Sequence, residues 1–166
     1  MIAKRIVFGA AIAGLLFAAP SAIDAKSDKP LIGKPAPPFV LKMFDKSERK
    51  LADYAGKVLV INYWATWCGP CKAEMPMMSE YHKRNSWRGF EIVGVVTKDS
   101  VAPYKLTKLA AALSYPLALN LKGKYDILDA VPTNYVIDKN GIVRYAKAGS
   151  FNEAEFRQLI EPLLTE

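Results

Sequence analysis

The sequence predicts an α/β chain built on a central mixed β-sheet flanked by helices. Three observations carry this. Val58–Trp64 and residues 90–96 are almost continuously apolar, the pattern of strands buried on both faces. Lys139-Asn140-Gly141 is a strong hairpin signal, because Asn-Gly accepts positive φ, so antiparallel pairing accompanies the buried strands. Helical stretches follow each of these buried strands and the hairpin, and the resulting order is strand, helix, strand, helix, hairpin, helix. That order predicts a sheet with helices on both faces.

Taken in order, residues 26–34 are a polar linker, and Gly33-Lys34-Pro35-Ala36-Pro37-Pro38-Phe39 is an extended, proline-rich entry. Residues 39–42 form a short strand, with 49–51 as its hairpin partner across a polar turn at 45–48. After the strand at 58–64, a helix is expected over 71–88, interrupted by Pro76. The strand at 90–96 is followed by a helix at 101–113, a short strand at 116–120 and a turn or short helix at 123–128. Strands at 133–138 and 142–148 flank the Asn-Gly turn. Asn152-Glu153-Ala154-Glu155 reads as a capping box opening a last helix that runs to about 164.

A chain of 166 residues suits one domain, here 35–166, plus a short extra segment. The net charge is +7, but the lysines are scattered along the chain, which argues for solubility and against a nucleic-acid partner. The longest basic cluster, His82-Lys83-Arg84, reads as a solvated helix face, with His82 at the surface.

Residues 1–25 follow the order of a secretory signal peptide: Lys4 and Arg5, an apolar run over 6–19, then Pro20 and a small residue, Ala25. A helix over the apolar run reaches about 21 Å, against roughly 30 Å of hydrocarbon, so a signal peptide is expected rather than an uncleaved anchor. The remainder is then periplasmic or otherwise extracytoplasmic, and it meets a membrane only if the segment is retained. There is no twin-arginine pair, and no cysteine lies near the cleavage point.

The only two cysteines are Cys68 and Cys71. A Cys-x-x-Cys ring closes almost no loop, so it is a poor structural staple. Structural zinc needs about four ligands, and covalent haem needs a histidine where Lys72 stands. Redox chemistry remains. Cys68 falls where a buried strand meets a helix, and the orphan N–H groups and dipole there favour a thiolate, making it the nucleophile. Cys71, one turn further in, is the resolving thiol. Gly69 allows the tight turn, and Pro70 fits a first helical turn.

The segment Asn62-Tyr63-Trp64-Ala65-Thr66-Trp67-Cys68-Gly69-Pro70-Cys71-Lys72-Ala73-Glu74-Met75-Pro76 resembles the active-site segment of the thioredoxin superfamily. More narrowly, it resembles the extracytoplasmic TlpA/ResA-like thiol–disulfide oxidoreductases. Pro35-Ala36-Pro37-Pro38-Phe39 is similar to the entry segment that this branch shares with the peroxiredoxins. Val131-Pro132-Thr133 resembles the cis-proline loop, and Ile137-Asp138-Lys139-Asn140-Gly141 the closing hairpin. The resemblance covers residues 31–164.

It implies a thioredoxin-like fold with an extra N-terminal β-hairpin and a central insertion, and a Cys68–Cys71 redox disulfide. It also implies a cis Pro132 that, with Val131, helps a substrate strand dock beside Cys68. Glu74 is implied as acid/base near the buried thiol. General thioredoxins use an aspartate on the preceding strand, where this chain has Asn62, which takes no proton. A second reading of Glu74, a carboxylate placed for the helix dipole, stays open. Trp67 is expected to shield the thiolate and contact partners, and Trp64 to be core. Met75, Met77 and Met78 are expected to fill core gaps rather than bind a soft metal.

The expected function is reduction of disulfides in exported proteins, of the cytochrome c maturation or copper-site assembly type. Neither metal nor cofactor is expected. Gly69-Pro70 goes with reducing centres, and the lack of an NADPH motif points to a membrane electron donor. Three alternatives stay open. One is a disulfide oxidase or isomerase. The second is a thiol peroxidase, although Ala65 stands where peroxiredoxins carry threonine. The third is a non-enzymatic copper metallochaperone, although those relatives carry Cys-x-x-x-Cys and a distant histidine.

Overall fold

The computed structural model describes residues 31–166. The expected signal peptide at 1–25 and the linker up to residue 30 lie outside the described residues. The elements are β1 (Phe39–Met43), β2 (Glu48–Lys50), β3 (Val58–Trp64), α1 (Gly69–Asn85), β4 (Phe90–Val96), α2 (Thr107–Ala112), β5 (Leu117–Gly123), β6 (Thr133–Ile137), β7 (Val143–Ala148) and α3 (Glu153–Thr165). The strands make one seven-stranded sheet in the order β2-β1-β5-β4-β3-β6-β7. The β3–β4 and β4–β5 pairs are parallel, and the others are antiparallel. The expected α/β class with a mixed sheet is the observed one.

β3 is buried at all seven positions, and its side chains alternate between two cores. Val58, Val60 and Trp64 join the first core, with Met75, Met78 and Tyr81 of α1 and Phe156, Ile160 and Leu163 of α3. Leu59, Ile61 and Tyr63 join the second, with Val93, Val95, Tyr135 and Ile137. Trp64 fits against the sheet because Gly94 has no side chain: a Cβ there would lie 2.7 Å from Leu117 Cδ2 and 3.2 Å from Trp64 Nε1. Met75 and Met78 are buried and Met77 half-buried, so all three fill the core as expected.

The helices pack on one face only, which corrects the expectation of helices on both. The second face is covered by Tyr54 of a 3-10 turn (Leu51–Tyr54) and by loop residues Leu31, Ala36, Tyr125 and Leu128. The cause lies between β5 and β6. Gly123 still pairs with Phe39, so the short strand expected at 116–120 continues to Gly123. No helix or turn forms at 124–132, because that segment's carbonyls are taken by side chains of the sheet. Tyr63 donates to the Tyr125 carbonyl and Tyr135 to the Asp126 carbonyl, each at 2.6 Å. Residues so engaged have no use for helical N–H partners.

Other boundaries move for local reasons. β2 ends at Lys50 because Asp53 accepts from the Lys50 N–H at 2.7 Å and opens the 3-10 turn. α1 begins at Gly69 and passes through Pro76 without a break, since Pro76 and Lys72, whose carbonyl loses its partner, are both exposed. It gives way to a 3-10 turn at Ser86–Arg88. The helix expected over 101–113 shrinks to α2, led by a 3-10 turn (Pro103–Leu106). Leu113 turns extended, and the Ser114 N–H donates to Ser79 Oγ at 2.9 Å, outside any helix.

His82 is buried, not at the surface. It packs near Phe90 and Tyr115, with Nδ1 3.0 Å from Ser114 Oγ and Nε2 3.7 Å from Glu91 Oε2. Burial holds its pKa below the usual histidine value.

The capping box of α3 is present: Asn152 Oδ1 accepts from the Glu155 N–H at 2.9 Å, and Glu155 reaches back to the Asn152 N–H. Asn152→Ala should therefore cost about 1 kcal/mol. Urea denaturation should show a lower midpoint with an unchanged slope.

Candidate active site

The site is built where β3 hands over to α1. The turn Ala65-Thr66-Trp67 is pinned on both sides, by Ser100 Oγ accepting from the Thr66 N–H and by Thr66 Oγ1 accepting from the Val101 N–H, each at 3.1 Å. Cys68 is the helix N-cap with extended backbone, and its Sγ accepts from the Cys71 N–H at 3.1 Å. Gly69 and Pro70 are the first two helical residues, where the N–H that proline lacks would be an orphan in any case. Cys68 and Cys71 form a disulfide with Cα atoms 5.3 Å apart. Cys71 is fully enclosed in the first core, while Cys68 keeps a small exposed area at the surface end. The same amide and the helix dipole would stabilise a Cys68 thiolate once the disulfide is reduced.

Two loops complete the surface. The Val131–Pro132 bond is cis, as the resemblance implies. Cys68 Sγ lies 3.6 Å from the Val131 carbonyl oxygen, a contact that becomes a hydrogen bond only when the sulfur carries a proton. Trp67 is 60% exposed, and its indole N–H donates to Asp99 at 2.9 Å. Hydrogen bonds from Thr97 and then Trp67 hold the Asp99 carboxyl below its usual range. A groove of about 520 Å³, lined among others by Tyr63, Val95, Leu119 and Leu121, reaches Trp67, the chain neighbour of Cys68, and Val131, whose carbonyl contacts the Cys68 sulfur.

Behind the disulfide, Glu74 is 3% exposed. It stands one turn after Cys71 on the same helix face. Its Oε1 accepts from Asn62 Nδ2, and its Oε2 from the Phe151 N–H, both at 2.9 Å. Its partners are therefore β3 and the 149–151 loop, not the amides of its own helix. Burial pushes its pKa up to about 7 against these two hydrogen bonds, which favour the carboxylate. Asn62 also donates to Asn134 Oδ1 at 2.8 Å, from the facing position of β6.

The structure thus brings together Trp67, Cys68, Gly69, Pro70, Cys71, Glu74, Val131 and Pro132. Sequence reasoning missed Asn134, Phe151 and Asp99, and it saw in Asn62 only a residue unable to take a proton. A signal was present for Asn62, which interrupts an otherwise apolar strand, and a weaker one for Asn134, which follows Thr133 at the start of β6.

A family model described as AhpC/TSA family matches residues 32–146. A thiol–disulfide oxidoreductase ResA of Geobacillus thermodenitrificans (strain NG80-2) is 31% identical over 137 residues, covering 80% of this chain and 78% of that protein. Among solved structures, a thiol:disulfide interchange protein of the thioredoxin family from Chlorobium tepidum TLS superposes with a TM-score of 0.65 at 26% identity, covering 83% of this chain and 99% of that one. A putative thiol-disulfide oxidoreductase from Bacteroides vulgatus gives a TM-score of 0.69 at 26% identity, covering 82% and 99%. The fold, the Cys-x-x-Cys at a helix N-terminus and these likenesses agree: the chain belongs to the AhpC/TSA family and is a thiol–disulfide oxidoreductase of thioredoxin-like fold.

Proposed function

We propose that the chain is an extracytoplasmic reductase of disulfides in exported proteins, of the kind that prepares cysteines for haem attachment or copper-site assembly. The observation that carries its thiol–disulfide exchange is Glu74, a buried carboxyl whose pKa burial raises to about 7, one turn from the buried Cys71. In the reduced enzyme the Cys68 thiolate attacks one sulfur of the client disulfide. That bond breaks, the other client sulfur leaves as a thiolate, and a mixed disulfide forms. Cys71 then gives its proton to the Glu74 carboxylate and attacks Cys68 Sγ. The mixed disulfide breaks, the second client thiolate leaves, and the Cys68–Cys71 disulfide remains. Two electrons have passed to the client, and a membrane-located dithiol donor restores them.

Val131 and Pro132 dock the client strand beside Cys68, Trp67 contacts it, and Gly69 and Pro70 set the turn. The reducing direction rests on Gly69-Pro70, and the location on the signal-like order of residues 1–25. Among the described residues no helix is long and apolar enough to cross a membrane. The peroxidase alternative meets Ala65, fully buried, three before Cys68.

Cys71→Ser should trap a mixed disulfide with a client or a model disulfide peptide, seen as a mass increase that dithiothreitol removes. Cys68→Ser should trap none. If Cys68→Ser alone traps the client, the assigned roles are reversed.

Resolution of the mixed disulfide should accelerate as pH rises through about 7 and then level off, because only ionised Glu74 accepts the Cys71 proton. In Glu74→Gln the step should slow by about a hundredfold and lose that profile. Stopped-flow release of a chromogenic thiol measures both.

The same group sets a stability slope. Its pKa is higher folded than unfolded, so its contribution favours the fold most below the ordinary carboxylate range and is lost as pH rises through about 7. The loss is on the order of 3 kcal/mol. Denaturation of the oxidised protein across this range should show it against Glu74→Gln, which lacks it.

A further inference from the structure

Behind Glu74 runs a chain of hydrogen bonds whose polarity is fixed at its far end. The Gly149 carbonyl can only accept, and it takes a hydrogen bond from Asn134 Nδ2 at 3.1 Å. Asn134 must therefore turn its Oδ1 to Asn62, which meets it with Nδ2 at 2.8 Å. The second hydrogen of the same Nδ2 is then committed to Glu74 Oε1 at 2.9 Å. This orientation leaves Asn62 Oδ1 buried without a partner. A flipped Asn62 would offer that oxygen to Glu74 and would meet Asn134 oxygen to oxygen. On the other side of the carboxyl, the Phe151 N–H can only donate.

Gly149 is held from both sides. Its N–H donates to the Pro132 carbonyl at 2.8 Å while its own carbonyl takes Asn134. It does so at φ +120°, a conformation that suits glycine. The residue that orients the asparagines thus also clamps the loop bearing the cis proline.

We infer that Asn134 is a positioning residue: it carries the fixed polarity of the Gly149 carbonyl through Asn62 to Glu74, so that both carboxyl oxygens meet donors only. This rests on the reading of Glu74 as the proton acceptor for Cys71. With donors on both oxygens, a proton arriving on Glu74 finds no acceptor in Asn62 or in Phe151. The carboxylate stays available to Cys71, and the proton returns readily. The titratable groups facing Glu74 are Cys71 on its own helix, Tyr115 from the segment before β5 and Tyr145 of β7. Burial keeps both tyrosines above their usual range, so neither changes charge where Glu74 titrates. Without Asn134, Asn62 is free to flip and accept from protonated Glu74, which favours the acid.

The test is the titration of the Glu74 carboxyl, followed by carbon-13 NMR in the oxidised full chain of the parent, Asn134→Leu and Asn134→Val. The midpoint should rise from about 7 in the parent to about 8 in the variants. At pH 6, resolution of the mixed disulfide should then be about tenfold slower than in the parent. Adding Asn134→Leu to Glu74→Gln should bring no further slowing. A folded Leu or Val variant with the parent midpoint would overturn the inference, even if its melting temperature had dropped. The carboxyl titration stands apart from catalysis. If the midpoint moves but the parent's resolution rate ignores it, the proton-acceptor reading of Glu74 fails and the asparagine relay stands.

Discussion

A carboxyl group enclosed by an apolar core must either stay neutral or be held by donors, and Glu74 is under both demands at once. Burial favours the acid, while the Asn62 amide and the Phe151 N–H favour the carboxylate, and the outcome is a group balanced near neutrality. The balance requires that β3, α1, β6 and the loop after β7 converge on one point. Each supplies something specific: Asn62 from β3, the carboxyl from α1, Asn134 from β6, and Gly149 and Phe151 from the loop.

The sheet makes that convergence possible. Because β3 lies between β4 and β6 and is buried on both faces, Asn62 points into the same core as α1 while its neighbours fill the opposite one. The end of β3 sets the start of α1, which places Cys68 at a helix N-terminus and Cys71 and Glu74 along its buried face. With no helix over the second face, the groove beside Trp67 and Val131 stays open at the redox end. The disulfide thus has the Glu74 carboxyl behind it on one face of the sheet, while the groove lined by Trp67 and Val131 opens on the other.

What was legible in the sequence followed from strong local patterns. β3 and β4 were found to the residue because their apolar runs are almost continuous, and α3 because Asn152 and Glu155 spell out its cap. The cysteine pair, its turn and the cis proline were legible from their motifs. The rest depended on tertiary partners. α2 starts only at Thr107, after the 3-10 turn at Pro103–Leu106, and Leu113 leaves the helix where Ser114 bonds to Ser79, 35 residues away. Residues 124–132 are irregular because tyrosines of the sheet take their carbonyls. His82 was misplaced by its polar neighbours, although it stands four residues after Met78 and seven after Met75, on the buried face of α1. Asn134 stands beside Thr133 at the polar start of β6, and its partners come only from the tertiary fold: Asn62 from the register of the sheet and Gly149 from the loop after β7.

The central claim is that this site gives electrons to client disulfides. The midpoint potential of the Cys68–Cys71 couple, by equilibration with glutathione or dithiothreitol buffers, tests it most directly. A value below about −220 mV is predicted, marking a reductant that depends on an electron supply. A value above about −150 mV would contradict the account and make the protein an oxidant of folding chains.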